Sequence, residues 1–336
     1  MYREYYVEFT NIVTSYYEEH SLIEFVSRLV DAMRATGRTF EVILINDGST
    51  DQTFEVQKSL FERFPEVHKV IDIMRNSGQT AAMSCGISHA RGENLIFIDS
   101  DLQLDPEEIP DLLEKFDAGA DVVSGVRVKR KDHALRRLPS KVVNIVTRRI
   151  ARHPVSDIGC TFKVYRGSLV YPFGFGPFKI WNTAFVLRLA RDYVEVPITH
   201  HARRYGKSGW SIPKLIKFLF DQILGISSRP FLWFTVLSLA LAIALALKFF
   251  ASIFFGLDFV DEYTNGAIIN VLLLGIILGI GAFSALGEFI FQIFIHVRQD
   301  PFYTERTVLC REHLLSPSRS NEGVVTRLDT NSPARP

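Results

Sequence analysis

Asn94-Leu95-Ile96-Phe97-Ile98-Asp99-Ser100-Asp101 is a short apolar run that ends on two carboxylates two residues apart. A bounded run of this length, rich in β-branched and aromatic residues, reads as a buried strand. Three other stretches repeat the pattern. Phe40 to Ile45 ends in Asn46-Asp47-Gly48-Ser49-Thr50-Asp51, a turn-and-cap signal that opens a helix. Val70 to Met74 is followed by Arg75-Asn76-Ser77-Gly78-Gln79 and a helix from near Thr80, and Asp121 to Gly125 is a fourth strand. Strands alternating with helical patterns predict an α/β fold of βαβ units around a mostly parallel sheet. Ligands in such sheets bind beyond the carboxyl ends of the strands, which is where these polar clusters fall.

Behind this domain lie two apolar stretches, Phe231 to Phe255 and Ala267 to Leu286, the latter running on towards Val297. At 1.5 Å rise per residue, about 20 apolar residues cross a hydrocarbon core of about 30 Å. The sequence therefore predicts two transmembrane helices, about 231–255 and 267–290. Lys214, Lys217 and Arg229 precede the first, and Arg298, Arg306 and Arg311 follow the second. The connection Gly256 to Gly266 holds Asp258, Asp261 and Glu262 with no Lys or Arg. The positive-inside rule then puts both termini and the soluble domain in the cytoplasm, with a short external loop. Domain expectations are 1–211 for the soluble domain, 212–229 for an interfacial amphipathic helix, 230–298 for the hairpin and 299–336 for a cytoplasmic tail, disordered from about Ser316.

Composition narrows the partners. The net charge of +1 over 336 residues makes no general case for nucleic acid. Charge is concentrated instead: from Arg127 to Arg152 there are ten Lys or Arg and one acid, Asp132. Within it, Val142, Val143, Ile145, Val146 and Ile150 recur at helical spacing, so the segment is either a helix for an anionic membrane surface or a solvated helix face. Cys85, Cys160 and Cys310 are odd in number and widely spaced, which is no metal signature among the cysteines and fits a reducing compartment.

Asp99 and Asp101 form the site candidate. In a turn both can face one ion, and a hard cation such as Mg²⁺ takes one or two carboxylates plus substrate phosphate oxygens. Read alone, the pair is equally a polar turn.

Context adds a resemblance. Asp99-Ser100-Asp101-Leu102-Gln103-Leu104-Asp105-Pro106-Glu107-Glu108 resembles the aspartate motif of family 2 glycosyltransferases, which have the GT-A fold. Asn46 to Asp51 resembles their nucleotide-contacting turn. Thr14-Ser15-Tyr16-Tyr17-Glu18-Glu19 does as well, with Thr14 where the family has Pro and Tyr17 where it has Asn. Ser156-Asp157-Ile158-Gly159-Cys160-Thr161-Phe162-Lys163 and Arg203-Arg204-Tyr205-Gly206-Lys207-Ser208 are similar to segments of its polyprenyl-phosphate branch, as are Gly287-Glu288-Phe289 and Arg298 to Tyr303.

The resemblance implies a GT-A domain carrying interfacial helices and a membrane hairpin. It also implies inverting, metal-dependent transfer from a nucleotide sugar, UDP-linked, to polyprenyl phosphate on the cytoplasmic leaflet of a bacterial inner membrane. Mg²⁺ or Mn²⁺ is the implied cofactor, with Asp101 the main ligand and Asp99 on the metal or the nucleotide. Tyr16, Glu18, Asp47, Asn76, Gln79, Asp99, Ser100, Gln103, Arg203 and Ser208 are expected at the donor; a guanidinium binds a diphosphate bidentately. Arg127, Arg130 and Lys163 are expected at the acceptor phosphate. Asp157 is the catalytic candidate, although a phosphate monoester with a second pKa of about 6 is already largely ionised and barely needs a base. Asp157 is otherwise an acceptor-orienting group, a completion of the metal shell, a helix cap or a salt bridge. His200 and His201 read as structural or acceptor-side. Glu288 and Gln292 read as packing or oligomer contacts, and the small residues Gly275, Gly279, Gly281 and Ala282 permit close helix packing within or between subunits. A processive polysaccharide synthase of the same fold and a nucleotide-binding membrane adaptor are the competing readings. The first lacks its Gln-x-x-Arg-Trp motif here, and the second is opposed by Asp99, Asp101 and Arg203.

Overall fold

Four parallel strands carry the molecule. A computed structural model describes residues 6–128, 148–149, 151–176, 181–204, 232–255, 263–297, 301–311 and 324–327. Strands β1 (Phe9–Ser15), β2 (Phe40–Asn46), β3 (Val67–Ile73) and β4 (Asn94–Asp99) pair in the spatial order β4-β1-β2-β3, all parallel. Helices α1 (Leu22–Ala35), α2 (Thr53–Arg63) and α3 (Gln79–His89) make the crossovers. Beyond β4 run α4 (Ile109–Asp117), β5 (Val122–Arg127), β6 (Lys163–Arg166) and β7 (Tyr193–Ile198). Strand β6 lies antiparallel between β4 and β5, and β7 parallel on the outer side of β5. The α/β reading with a mostly parallel sheet is what the chain adopts.

Both sheet faces are covered, which is why the strands read as near-continuous apolar runs. On one face α1, α2 and α4 bury Leu22, Phe25, Leu29, Leu60, Ile109 and Phe116 against Val13, Val42, Leu44 and Ile98. Burying one such side chain is worth about 1.5–3 kcal/mol. On the other face α3 packs Ala81, Ala82 and Cys85 against Ile12, Ile43, Ile45 and Ile71. Its small residues set the approach: a Cβ on Gly86 would lie 2.5 Å from Ile12 Cγ2.

Two features depart from the sequence reading. Strand β1 is central yet carries buried Thr10 and Asn11, because Thr10 Oγ1 donates to Glu41 Oε1 at 2.7 Å and Asn11 Nδ2 to the Glu41 carbonyl at 3.3 Å. The stretch expected as a tail also returns to the sheet: β8 (Glu305–Cys310) pairs antiparallel with β3, burying Tyr303 and Leu309. A further strand, β9 (Val324–Arg327), pairs with β8 inside the stretch whose composition reads as disordered.

The sheet, its helices and β8 form one compact unit, and two apolar helices, Leu232–Phe255 and Tyr263–Val297, lie in a second. These two helices pack on each other where Gly281 meets Ser238; an added Cβ there would lie 2.3 Å from Ser238 Oγ. Within the longer helix, the 22 residues Asn270–Phe291 are long and apolar enough to cross a membrane, with a mean hydropathy of 2.1 over an 18-residue window. Thr235–Lys248, the corresponding stretch of the first helix among described residues, is shorter. The expected interfacial helix over 212–229, most of the basic segment and residues 256–262 of the expected external loop lie outside the described residues, while 263–266 open the longer helix.

Candidate active site

The carboxyl ends of β1, β2 and β4 lie side by side, with Ser15 level with Asn46 and Thr14 level with Asp99. Each strand leaves the sheet there on a polar turn. Two residues in those turns hold a left-handed backbone, Tyr17 at φ 57° and Leu102 at φ 56°. Such a conformation costs a non-glycine residue about 1–2 kcal/mol. Surrounding structure holds both: Leu102 is buried in the core, and the Tyr17 amide donates to Ser49 Oγ at 3.0 Å.

Asp99 is clamped at both oxygens. Gln79 Nε2 donates to Oδ1 at 2.7 Å and Thr161 Oγ1 to Oδ2 at 2.6 Å. Burial, then the charge of Asp101, push its carboxyl up to about 6 against those donors. Ser100 turns inward, its hydroxyl within 3.1 Å of Ser15 Oγ and 3.2 Å of the Thr14 carbonyl. Asp101 accepts the Gln103 amide at 3.1 Å on Oδ1, and on Oδ2 the Arg203 guanidinium at 3.0 Å. The same Arg203 nitrogen reaches Glu18 Oε1 at 3.0 Å, while Ser21 Oγ donates to Glu18 Oε2 at 2.7 Å. Burial pushes Glu18 up to about 7; Asp101 and Asp99 add to this, and Ser21 and Arg203 oppose it.

Arg203 reaches this point because the chain after β7 is pinned to the aspartate turn. Gln103 Nε2 donates to the His201 carbonyl at 3.2 Å, the His201 amide returns a bond to the Gln103 carbonyl at 2.9 Å, and His201 Nε2 lies 2.6 Å from Asp105 Oδ2. Asp105 also accepts from Arg28 at 2.6 Å. The histidine pair is thus part of the scaffold.

Asp47 organises the loop before α3. Its oxygens accept the Ser77 and Gly78 amides at 2.7 and 2.9 Å, and burial still lifts its carboxyl to about 6. Gly48, at φ 69°, passes so close to that loop that a Cβ would lie 2.4 Å from the Arg75 carbonyl carbon. On the β5–β6 side, Arg127 grips Asp157 with two bonds, Nε to Oδ2 at 2.6 Å and a terminal nitrogen to Oδ1 at 2.8 Å.

Glu18 and Asp101 therefore share one guanidinium, with Asp99, held by Gln79 and Thr161, two residues before Asp101. This is a hard-oxygen donor set, and the guanidinium marks where positive charge is demanded, so these residues fit a divalent cation such as Mg²⁺ or Mn²⁺. Relatives match this chain along nearly its whole length. An undecaprenyl-phosphate 4-deoxy-4-formamido-L-arabinose transferase from Pectobacterium atrosepticum is 32% identical over 93% of this chain and 97% of its own length. The Pseudomonas savastanoi enzyme of the same description is 30% identical over 94% and 96%. The profile described as glycosyl transferase family 2 matches residues 10–172. The chain belongs to glycosyl transferase family 2. Among solved structures, glucosyl-3-phosphoglycerate synthase from Mycobacterium tuberculosis with Mn²⁺ and UDP-glucose is 13% identical, covering 65% of this chain and 78% of that one at a TM-score of 0.48.

In this glycosyltransferase the structure brings together Glu18, Gln79, Asp99, Ser100, Asp101, Gln103 and Arg203 of the expected donor residues. Tyr16 and Asn76 stand exposed, the Tyr16 ring tilted against that of Tyr17 with centroids 4.4 Å apart. Ser208 and Arg130 lie outside the described residues. Lys163 departs from its expected role: it opens β6 pointing inward, 2% exposed, with Nζ 3.4 Å from the Ile158 carbonyl. Burial depresses its ammonium, with Asp157 and Asp99 among the charges that oppose this. Sequence reading passed over Thr161 as an Asp99 partner. A hydroxyl four residues after Asp157 gives no signal until β6 is seen to run antiparallel beside β4.

Proposed function

We propose that the chain transfers a sugar from a UDP-linked donor to a polyprenyl phosphate at the cytoplasmic face of a membrane, with inversion and with a divalent metal. The observation that carries this is the pair Glu18 and Asp101 bridged by Arg203 at the strand edge, with Asp99 two residues before Asp101. Its acceptor half rests on the relatives, whose printed names specify undecaprenyl phosphate, and on the apolar stretch Asn270–Phe291. Asp101, with Asp99 behind it, would hold the metal, whose chemistry is to neutralise the leaving diphosphate.

The remaining work belongs to the chain's own groups. The turns at Tyr16–Glu18 and Asp47–Gly48 frame the nucleotide. Arg203 leaves its carboxylates to bind the diphosphate. An acceptor phosphate oxygen attacks the anomeric carbon as the bond to the diphosphate breaks, and UDP departs with the electron pair. Because that phosphate is already ionised at neutral pH, Asp157 serves by orienting Arg127 towards it. The two apolar helices anchor the domain as a hairpin with both ends cytoplasmic, in keeping with the Lys and Arg that flank them.

The test is formation of radiolabelled lipid-linked sugar in membranes, with UDP-4-deoxy-4-formamido-L-arabinose and UDP-hexoses offered against undecaprenyl phosphate. Asp101→Asn is expected to abolish the product. Near-normal product from that variant would remove the metal role, and no product from wild type with any donor would remove the transfer itself.

A further inference from the structure

Away from the donor turns, on the face of the sheet covered by α3, three metal-ligating side chains meet. Cys85 and His89 stand one helical turn apart on the same side of α3, and Glu305, the first residue of β8, is brought to them by the pairing of β8 with β3. His89 Nε2 lies 2.9 Å from Glu305 Oε1, and Cys85 Sγ lies 3.6 Å from the same oxygen. One ligand atom from each residue falls within 4.8 Å of the other two.

We propose that Cys85, His89 and Glu305 bind a borderline-soft divalent cation of the zinc type, which fastens β8 to α3.

The chemistry of the donor set points to that class. Sulfur, imidazole nitrogen and carboxylate oxygen are the three ligand types of zinc sites, with bonds of roughly 2.0–2.3 Å. A tetrahedral ion with such bonds separates its ligands by about 3.3–3.8 Å, close to the separations of 2.9 and 3.6 Å between these groups. A plain His89–Glu305 pair needs no thiol, yet Cys85 is fully buried and directs its sulfur at the same carboxylate. With three protein ligands, the fourth position falls to water.

The surroundings supply supporting groups. The Tyr303 hydroxyl lies within hydrogen-bonding reach of Cys85, a contact that favours the thiolate, and is itself 3.2 Å from Ser88 Oγ. Lys69 Nζ donates to the His89 carbonyl at 2.7 Å, fixing the helix end that carries the imidazole. Such outer contacts orient metal ligands and commonly matter by about 10–100-fold in affinity. Burial and the neighbouring Glu305 keep Cys85 a thiol, so zinc uptake forms the metal–sulfur bond and releases one proton to solvent. The charged and titratable groups facing that thiol are His89 on its own helix, Glu305 and Tyr303 at β8, Lys69 from β3 and, through space, Asp47. The proposal is independent of which sugar or acceptor the enzyme uses.

The experiment uses the full chain, without a histidine tag, in nanodiscs. After zinc loading and removal of excess metal, bound zinc is measured by mass spectrometry, together with the thermal midpoint. Cobalt substitution reports sulfur ligation through its thiolate charge-transfer band. Wild type is expected to retain one zinc, gain a higher midpoint and show the band. Cys85→Ser should lose the band, and both it and His89→Gln should bind at least about tenfold more weakly. Asp101→Asn should retain the zinc, which separates this site from the donor site. A folded wild type that keeps no zinc, or a Cys85→Ser chain that binds as tightly, would overturn the proposal. Zinc lost on Asp101→Asn alone would equally overturn it.

Discussion

Arg203→Gln separates two roles that the geometry assigns to one guanidinium. Arg203 sits 3.0 Å from Glu18 and 3.0 Å from Asp101, with its side chain 28% exposed. Two unit charges about 4 Å apart interact by about 4 kcal/mol at an effective dielectric of about 20. Desolvation and side-chain ordering reduce a charged hydrogen bond to a net of about 1.5–3 kcal/mol. A cation that settles on Asp101 first has to displace that contact, so its affinity for the free protein is lowered by a similar amount. At about 1.4 kcal/mol per decade, Arg203→Gln is expected to tighten Mn²⁺ binding by roughly ten- to a hundredfold while transfer falls steeply. Free Mn²⁺ is counted by electron paramagnetic resonance with no donor present. The titration is run above pH 7, because losing Arg203 removes one of the two influences that hold Glu18 down at about 7. Unchanged or weaker Mn²⁺ binding in a folded Arg203→Gln protein would refute the competition.

Other consequences can be checked on the same protein. Glu18 titrates from 4.5 in the unfolded chain to about 7 in the fold, so the folded state holds the extra proton between these values and stability falls as pH rises through that window. Thermal midpoints should therefore drop from pH 4.5 to 7, and less so in Glu18→Gln; an equal drop in both would assign the effect to other groups. Over the same interval Mn²⁺ affinity should rise, since Glu18, Asp99 and Asp47 all lose protons near 6 to 7. Gly48→Ala places a methyl 2.4 Å from the Arg75 carbonyl carbon at a positive φ and should cost on the order of 2–4 kcal/mol in urea unfolding, with donor binding weakened. Arg127→Met removes two hydrogen bonds and the paired charge from the buried Asp157 carboxylate and should cost up to about 3–5 kcal/mol, whereas Arg127→Met with Asp157→Leu should recover most of that stability and none of the transfer; recovered transfer would show that the pair only stabilises the fold.

The parallel core was legible because its strands β2, β3, β4 and β5 are apolar runs that end in polar turns. The aspartate turn and Arg203 were legible because carboxylates and a guanidinium carry their chemistry in their side chains. Strand β1 was hidden by Thr10 and Asn11, whose polarity is cancelled by contacts to Glu41 on the neighbouring strand. Such a cancellation is visible only once register is known. The burial of Lys163 was not legible for the converse reason: a lysine beside a motif looks solvent-facing, and the antiparallel strand turned it inward. Thr161 and Glu305 gave no local signal at all, since each gains its meaning from a partner brought by the sheet, Asp99 in one case and His89 with Cys85 in the other.

Helix α3 connects these two unannounced contacts. Its first residue, Gln79, holds Asp99, and its last turn, through His89, meets Glu305. Without β8 the edge of β3 would present a row of unpaired backbone groups, the kind of edge that natural sheets cover or blunt. The chain covers it only after the two apolar helices have been made, using Lys69 to Ile73 as the template. Docking of β8 therefore does more than close an edge: it sets the carboxylate of Glu305 against the C-terminal turn of the helix whose N-terminal residue positions Asp99.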